Sequence, residues 1–382
     1  MNATTTPPCD ISLVVNTHQR PRHLGLVLDS IAAQVGVAGR FDLVVSDDGS
    51  TDDTAAVVAA FAARVPFPVR FTTEPHDGFR LARVRNRGAL LAGGEMLLFL
   101  DGDCILPPDH VATYLARRRR GRALLGYCVR LPEDASRDLM PGACDWDGLR
   151  SRVPATERTA ITRRLWKQRW HGWIGHPTKP RLAGGNFAVW RDDFVAVNGF
   201  DERFRGWGQE DDDLGLRLRA AGIRLEPIID RTMTYHVWHA IDPTATPRWR
   251  DGPNVAYFLR RGRLTACRHG LAERRSTGLL WGLPADLGDT AVGRLVDHAL
   301  ADAAHAAPHA RCEIDLVVHP GKGRFHRPAE CRAVLVAAPG RAGSEGTLRC
   351  RLDRALWRRA DRIVTVDAPD PGRIAALLAA LG

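Results

Sequence analysis

Four short runs in the first hundred residues predict strands, and the first two of them are rich in β-branched residues and end in polar ones, as buried parallel strands do. They occupy residues 11–16, 41–46, 69–73 and 95–100. Between them, apolar positions recur with helical spacing, and this predicts three helices, over 22–34, 54–64 and 81–93. Such alternation predicts a doubly wound α/β sheet, which binds ligands beyond the carboxyl ends of its strands.

The pattern loosens after the fourth strand and then becomes regular again. Residues 132–182 are turn-rich and carry Trp166, Trp170 and Trp173 among arginines and lysines. The regular elements predicted beyond them are a strand over 184–190, a helix from 191, a helix within 206–222, a strand ending at 239 and a basic helix over 253–274.

The chain has a different character after residue 276, which predicts a domain boundary. We expect one α/β domain over 1–275 and a small α/β module of unknown role over 276–382. In the module, IDLVVH, AVLVAA and RIVTVD are typical of short strands. Helices are predicted near residue 289 and at the C-terminus.

The composition is that of a globular protein with a basic surface. The 382 residues carry a net charge of +10, and 45% are hydrophobic. A basic surface favours anionic partners such as nucleotide diphosphates or phospholipid headgroups. The eight cysteines form no CxxC pair, no secretory signal is visible, and no apolar run is long enough to span a bilayer. We therefore expect a cytoplasmic protein, with peripheral contact at the inner face of the membrane left open.

Asp101 and Asp103 form a pair of carboxylates at the end of the fourth predicted strand, in FLDGD. Like charges in one small space favour a hard divalent cation, which prefers oxygen ligands and can stabilise a departing diphosphate. The alternative is an Asx turn in which both aspartates are solvated. The pair alone leaves both interpretations open.

The segment WGQEDDD, residues 207–213, places four acids at the start of a predicted helix. Carboxylates suit the positive end of a helix dipole, and Asp213 can pair with Arg217 one turn later. That need is met by one or two acids. The others, preceded by Trp207 and two glycines, predict a carboxylate that deprotonates an acceptor hydroxyl beside a sugar-stacking indole.

Two further groups complete the candidate residues. His236 and His239 in TYHVWH are three apart, and in an extended strand this spacing predicts that one of them points at the site. The helix with Arg83, Arg85 and Arg87 could bind phosphate bidentately, or it could be a solvated face.

Taken in order, these segments resemble glycosyltransferase family 2, whose members have the GT-A fold. VVSDDGSTDD is similar to the uridine-binding segment, FLDGD to the DxD strand, and HDGFRLARVRNRGA to the corresponding stretch of bacterial chondroitin and hyaluronan synthases. From residue 184, the chain resembles the galactosyltransferase segment that ends in the acidic helix. Gln209 stands where those galactosyltransferases usually have glycine, which weakens any transfer of acceptor preference.

The resemblance implies a role for each matching residue. Asp103 would ligate Mn²⁺ or Mg²⁺ together with His236, with Asp101 nearer the ribose and His239 as the second candidate among the histidines. Asp211 would be the catalytic base, assisted by Glu210. Asp212, with Glu210, would assist acceptor binding, and Trp207 would pack against sugar. The donor nucleotide and sugar would contact Thr17, Arg20, Asp47, Asp48, Arg85, Asn86, Asp101, Gly102, Gly184, Gly185 and Asn186.

The implied function is inverting, metal-dependent transfer of a hexose or hexosamine-type sugar from a UDP-sugar to a hydroxyl of a glycan, lipid-linked or small-molecule acceptor. We expect no nucleic-acid partner. Two alternatives remain open: a nucleotidyltransferase, which would show a glycine-rich phosphate loop that NTHQRPRHL lacks, and a non-catalytic nucleic-acid or membrane-surface binding module that uses residues 166–173.

Overall fold

The computed structural model describes the first two thirds of the chain almost continuously and the remainder as separate segments. The described residues are 9–142, 145–174, 176, 179–182, 184–240, 251–258, 265–267, 269–272, 281–282, 312–319, 329–337 and 362–366. The helices predicted near residue 289 and at the C-terminus lie outside them.

Helices and strands alternate along the first unit, which comprises Met1–Phe258 and His269–Ala272. Its strands are β1 (Ile11–Thr17), β2 (Phe41–Asp47), β3 (Val69–Thr73), β4 (Met96–Asp101), β5 (Cys104–Ile105), β6 (Arg122–Leu125), β7 (Cys128–Arg130), β8 (Asn186–Trp190), β9 (Arg224–Pro227) and β10 (Thr234–His236). Its helices are α1 (Pro21–Ala32), α2 (Thr54–Ala62), α3 (Leu81–Leu91), α4 (His110–Arg117), α5 (Glu133–Arg137), α6 (Trp146–Arg152), α7 (Ala155–Trp173), α8 (Arg191–Ala196), α9 (Glu210–Ala220) and α10 (Val255–Phe258).

Seven of these strands form one mixed sheet in the order β3-β2-β1-β4-β8-β6-β9. The first four are parallel, and β8 is antiparallel to both β4 and β6. The four strands and three helices predicted for the first hundred residues are all present, and the predicted fold class, a doubly wound mixed α/β sheet of the GT-A type, is confirmed.

Period-two alternation in the central strands buries both faces of this sheet. Leu13 and Val15 of β1 pack with the apolar face of α1 on one side, while Val14 packs on the other side with residues of α3, α8 and α9. All three side chains are fully buried. Burying each such side chain contributes about 1.5–3 kcal/mol, so the carboxyl ends of β1 and β4 stand on a rigid base.

A second, three-stranded sheet in the order β5-β10-β7 holds β10, which ends at His236, against the residues that follow β4. In this sheet His236 is paired with Cys104 of β5, and the amide of Val237 donates to the carbonyl of Asp103 at 2.8 Å. The chain from Asp101 to Ile105 is therefore fixed on both sides, by the large sheet and by β10.

Two expectations from the sequence are corrected. The turn-rich stretch 132–182 contains α5, α6 and the 19-residue helix α7, which buries Ile161 and Leu165. The predicted basic helix over 253–274 is wrong as a continuous element. Its described part is helical over Val255–Phe258. Residues 269–272 instead form hydrogen bonds with residues 198–202. These bonds use backbone groups that would bond within a helix.

The second unit comprises Leu259–Arg268 and Glu273–Gly382. Its described strands are β11 (Trp281–Gly282), β12 (Cys312–His319), β13 (Ala329–Ala337) and β14 (Arg362–Val366), which form a parallel sheet in this order. Three of them were predicted, and β11 was not. Among the described residues of the chain, no helix combines the length and the apolar character that crossing a bilayer requires.

Candidate active site

A cleft of about 540 Å³ opens at the carboxyl ends of β1 and β4. Phe79 and Leu81 from the segment that begins α3, with Leu131 beyond β7, form part of its apolar wall. The predicted site residues that line it are Thr17, Arg20, Asp48, Asp101, Gly102, Asp103, Trp207 and His236, together with His239. The structure thus brings these residues to one edge of the sheet.

Asp103 lies at the floor of this cleft, with two imidazoles and a guanidinium around its carboxylate. His239 Nε2 is 3.0 Å from Oδ2, His236 Nε2 is 3.5 Å from Oδ1, and Arg20 Nη1 is 3.1 Å from Oδ2. Burial alone would raise the pKa of Asp103, but the hydrogen bond from His239 and the surrounding positive charges hold it well below its usual range. Asp103 is therefore ionised at neutral pH.

Both histidines reach Asp103, and the expectation that only one would point at the site is wrong. β10 ends at His236, so the alternation of an extended strand does not continue to His239. The two rings lie 5.0 Å apart, and the ligand atoms of Asp103, His236 and His239 are all within 4.8 Å of one another. The hydrogen bond to Asp103 raises the pKa of His239 above its usual value.

Arg85 of α3 connects Asp101 to the acidic helix α9. Its Nη2 donates to Asp101 Oδ1 at 2.9 Å and its Nη1 donates to Asp211 Oδ1 at 2.7 Å. Glu210 Oε1 is 3.6 Å from the same Nη1, and Asn16 also binds Asp101. Arg85 is 1% exposed, and although burial opposes its charge, the pKa stays above the usual value because of the carboxylates around it.

The four acids of α9 divide into two pairs with different surroundings. Asp213 is bound by Arg217 at 2.7 Å, as the i, i+4 spacing predicted, and Asp212 by Arg181 at 3.1 Å. Glu210 and Asp211 face Arg85 instead. Asp212 and Asp213 are thus held by arginines. Glu210 and Asp211 share Arg85 with Asp101, the last residue of β4.

Glu210 and Asp211 are two acids that share one buried cation. Burial and the charge of Asp211 raise the pKa of Glu210 to about 8, and burial also raises the pKa of Asp211. Glu210 Oε2 is buried without a hydrogen-bond partner. These surroundings favour the proton on Glu210 and the charge on Asp211, which is bound to Arg85.

Gly184 and Gly185 stand immediately before β8, against these carboxylates. A Cβ on Gly184 would lie 2.2 Å from Asp211 Oδ2, and a Cβ on Gly185 would lie 2.6 Å from Asp101 Oδ2. The two positions therefore need glycine because any side chain would displace an acidic group of the site.

Three backbone positions bring Trp207 to the cleft and start α9. Gly206, Gly208 and Gln209 all have positive φ, at 75°, 96° and 71°. Gln209 is the N-cap of α9 in a left-handed conformation that costs a non-glycine residue about 1–2 kcal/mol. This turn exposes 43% of Trp207, whose indole lines the cleft.

The segment VVSDDGSTDD contributes Asp48 rather than Asp47 to the cleft wall. Asp47 accepts hydrogen bonds from Ser50 and Thr73 with both its oxygens and shapes the turn after β2. Asp48 lines the cleft and pairs with His76 at 3.2 Å, and burial raises its pKa. The ring of His76 stacks on that of His18, 4.3 Å between centroids.

Two asparagines among the candidates lie behind the cleft. Asn86 donates to the carbonyl of Phe200 and accepts from its amide, both within 2.9 Å, and so ties α3 to the turn before α9. Asn186 is 2.8 Å from the hydroxyl of Tyr114 and 3.1 Å from His110 Nε2 in a buried network under the sheet. The structure therefore assigns both side chains a structural position.

Comparisons with known proteins agree with this geometry. The family model described as "Glycosyl transferase family 2" matches residues 12–162, and the one described as "N-terminal domain of galactosyltransferase" matches residues 175–239. Residues 12–162 thus resemble a family 2 glycosyltransferase domain. The expected resemblance is thereby confirmed.

Among relatives of this chain, validoxylamine A glucosyltransferase of Streptomyces hygroscopicus subsp. jinggangensis is 34% identical over 234 residues, which is 56% of this chain and 52% of that protein. Chondroitin synthase of Escherichia coli is 25% identical over 59% of this chain and 34% of its own length. The chain thus spans about half the length of its curated glucosyltransferase relative. A Pyrobaculum calidifontis mannosyltransferase, solved with GDP-Man and Mn²⁺, aligns with 19% identity and a TM-score of 0.44 over 65% of this chain and 60% of that one.

Three polar or aromatic residues that line the cleft, His18, Arg130 and Trp238, were not among the sequence candidates, and neither was His76, whose ring stacks on that of His18. His18 lies between two candidates in NTHQR, and its position directly after β1 was the available signal. Arg130 ends β7, a strand of three residues that is too short to give a periodic pattern. Trp238 lies between His236 and His239, and a single tryptophan there gives no sequence pattern of its own.

Proposed function

We propose that the domain within residues 1–275 is an inverting, metal-dependent glycosyltransferase that moves a hexose or hexosamine-type sugar from a UDP-sugar to a hydroxyl acceptor. One observation carries the proposal. A single buried cation, Arg85, joins the carboxylate at the end of β4 to the acidic start of α9, so the diphosphate end and the acceptor end of one reaction meet at one guanidinium.

Asp103, His236 and His239 suit a divalent cation. One buried carboxylate and two imidazole nitrogens face one another within 4.8 Å, and Asp103 has a pKa low enough to stay ionised. Imidazole ligands favour Mn²⁺ over Mg²⁺ in such a set. When bound, the ion supplies positive charge that stabilises the departing diphosphate. Asp101 stays beside it, held by Arg85 and Asn16.

Asp211 is the proposed base in a single displacement that inverts the anomeric carbon. Its raised pKa makes it a better proton acceptor near neutral pH than an ordinary aspartate, while Arg85 keeps it charged until an acceptor hydroxyl arrives. Glu210, which holds its proton, contributes a neutral hydrogen-bonding group that does not compete for the cation. Trp207 offers its exposed indole as a face for the sugar.

The donor's nucleotide is proposed to lie at the other side of the cleft. Asp48 supplies an acceptor oxygen for an N–H of the base, with the stacked rings of His76 and His18 beside it. The name of the glucosyltransferase relative supports glucose as the first donor sugar to test and a small hydroxylated molecule as the first acceptor. A growing glycan or a lipid-linked acceptor remains part of the proposal.

The test compares Asp211→Asn and Asp103→Ala with the unchanged protein, in a screen of UDP-sugars with Mn²⁺ and then Mg²⁺. We expect Asp211→Asn to lose transfer by about 10²–10⁴-fold while UDP still binds by calorimetry. Asp103→Ala should lose Mn²⁺-dependent UDP binding. Asp192→Asn is the control, because this aspartate of α8 is 84% exposed and pairs with Arg120 at the surface. Normal turnover by Asp211→Asn would show that Asp211 is not the base.

A further inference from the structure

The outer face of α7 carries three exposed tryptophans in one stripe. Trp166, Trp170 and Trp173 are 67%, 56% and 82% exposed. Their i, i+4 and i+7 spacing puts them on one side of the helix, opposite the buried Ile161 and Leu165. Large apolar side chains exposed together in this way mark a surface that meets another phase or partner.

Basic side chains of α7 flank this face, and one of them, Arg169, pairs with Asp230 at 2.9 Å. Arg158, Arg163 and Lys167 are exposed, and within the described residues none has an acidic partner. The acid of this helix, Glu157, lies beside Tyr127 on the other side. The face is thus basic and aromatic, and it favours an anionic partner.

A shallow, open hollow lies between the first tryptophan and these arginines. It is lined by Arg158, Thr159, Thr162, Arg163 and Trp166. Two guanidiniums around one shallow space suit the phosphate of a lipid headgroup, since arginine binds phosphate oxygens bidentately. Indoles prefer the level of the headgroups at a membrane surface, where one edge is apolar and the other wet.

We propose that the outer face of α7 lies on an anionic lipid bilayer, with the three indoles inserted at headgroup level and the Arg158–Arg163 hollow holding a lipid phosphate. The helix lies along the surface and does not span it. A basic helix with tryptophans on the same outer face is the pattern of an interfacial segment. The contact does not depend on the glycosyl transfer proposed above.

The experiment measures co-sedimentation of the full chain with vesicles of phosphatidylcholine alone or with phosphatidylglycerol added. We expect binding to the anionic vesicles, weakened by salt, and little to the neutral ones. Replacing the three charges by glutamine should weaken binding roughly a hundredfold, since each contributes about a factor of five near an anionic surface. The charge variant is Arg158→Gln, Arg163→Gln and Lys167→Gln.

A second variant, Trp166→Gln, Trp170→Gln and Trp173→Gln, should also lose binding, and the blue shift of tryptophan fluorescence with vesicles should shrink. The matched controls keep binding. They replace equally exposed apolar residues of other elements, Leu90→Gln, Met140→Gln and Val195→Gln, or three exposed arginines elsewhere, Arg117→Gln, Arg119→Gln and Arg137→Gln.

Hydrolysis of the donor sugar in the absence of vesicles should be the same in all variants, which separates this proposal from the proposed function. Equal vesicle binding by the unchanged protein and both α7 variants would overturn the proposal. So would the absence of binding to anionic vesicles. Salt-sensitive binding of single-stranded nucleic acid that is lost in the same variants, without vesicle binding, would assign the face to nucleic acid instead.

Discussion

Arg85 shows how one side chain can connect two functional ends of a site. It is buried among Asp101, Glu210 and Asp211, and its guanidinium also lies over the ring of Phe200, with the carbon 5.3 Å from the centroid. Burying a cation is costly unless its donors are used, and here they are used by carboxylates that themselves need a partner.

Replacing this arginine should therefore destabilise the fold as well as the chemistry. We expect Arg85→Met to lower the free energy of unfolding by about 3–5 kcal/mol because it leaves buried carboxylates without their counter-charge. Arg83→Met is the control on the same helix. The Arg83–Glu74 pair is at the surface, with the arginine 43% exposed, and its loss should cost less than about 1 kcal/mol. Urea unfolding measures both, and equal losses would contradict the bridging role of Arg85.

Glu210 should make stability depend on pH in a direction opposite to that of an ordinary paired carboxyl. Its pKa is raised from 4.5 to about 8, so the folded chain holds a proton that the unfolded chain releases. Between these values the folded state binds more protons, and the free energy of unfolding falls as pH rises. The stability that the bound proton of Glu210 contributes is fully present below about pH 4.5 and is lost as pH rises through about 8.

Glu210→Gln keeps the shape of the neutral acid and cannot lose a proton. Relative to the unchanged protein, the variant should therefore gain stability steadily from pH 5 to pH 8. Denaturant unfolding at several pH values measures the difference, and Glu226→Gln serves as the control because this glutamate is a surface partner of Arg122. A difference that does not change with pH would mean that Glu210 is ionised in the folded protein.

At the scale of elements, the sequence predicted what periodicity and strand ends can encode. β3 was predicted over its observed residues, 69–73, and the acids after β4 were placed at the correct edge because parallel strands end together. The joint approach of His236 and His239 was not predictable, since it depends on where β10 ends, which pairing with β5 and β7 decides. α7 was missed because tryptophan and charge on its outer face obscure the helical period of its few buried residues.

The glycines before β8 provide a test of how elements meet at the site. Gly184→Ala should reduce transfer strongly because its methyl group displaces the Asp211 carboxylate from Arg85. Gly172→Ala in α7 is the matched control. A Cβ there meets nothing within 4 Å, and alanine in a helix should add up to about 1 kcal/mol of stability. Full activity of Gly184→Ala would show that Asp211 does not need its observed position.

At the scale of the whole molecule, the described residues that line the cleft all belong to the first unit, between Asn16 and His239. That unit ends at residue 258 and resumes for residues 269–272. Asn198 binds this segment from both directions: its side chain and carbonyl join Leu271 and Ala272 through three hydrogen bonds, and Glu202 binds His269 through a fourth. Leu271 packs against the core on the α3 side of the sheet.

Two truncations should consequently differ, although both keep every cleft residue. A chain that ends at residue 275 retains the 269–272 segment and should keep metal-dependent hydrolysis of the donor sugar. A chain that ends at 258 loses four hydrogen bonds, each contributing about 0.5–1.5 kcal/mol, and the contacts of Leu271, and should unfold at clearly lower denaturant concentration. Turnover and urea midpoints measure both. The chain that ends at residue 275 lacks residues 276–382 and nothing else. If it loses hydrolysis while circular dichroism shows an intact fold, the second unit takes part in turnover.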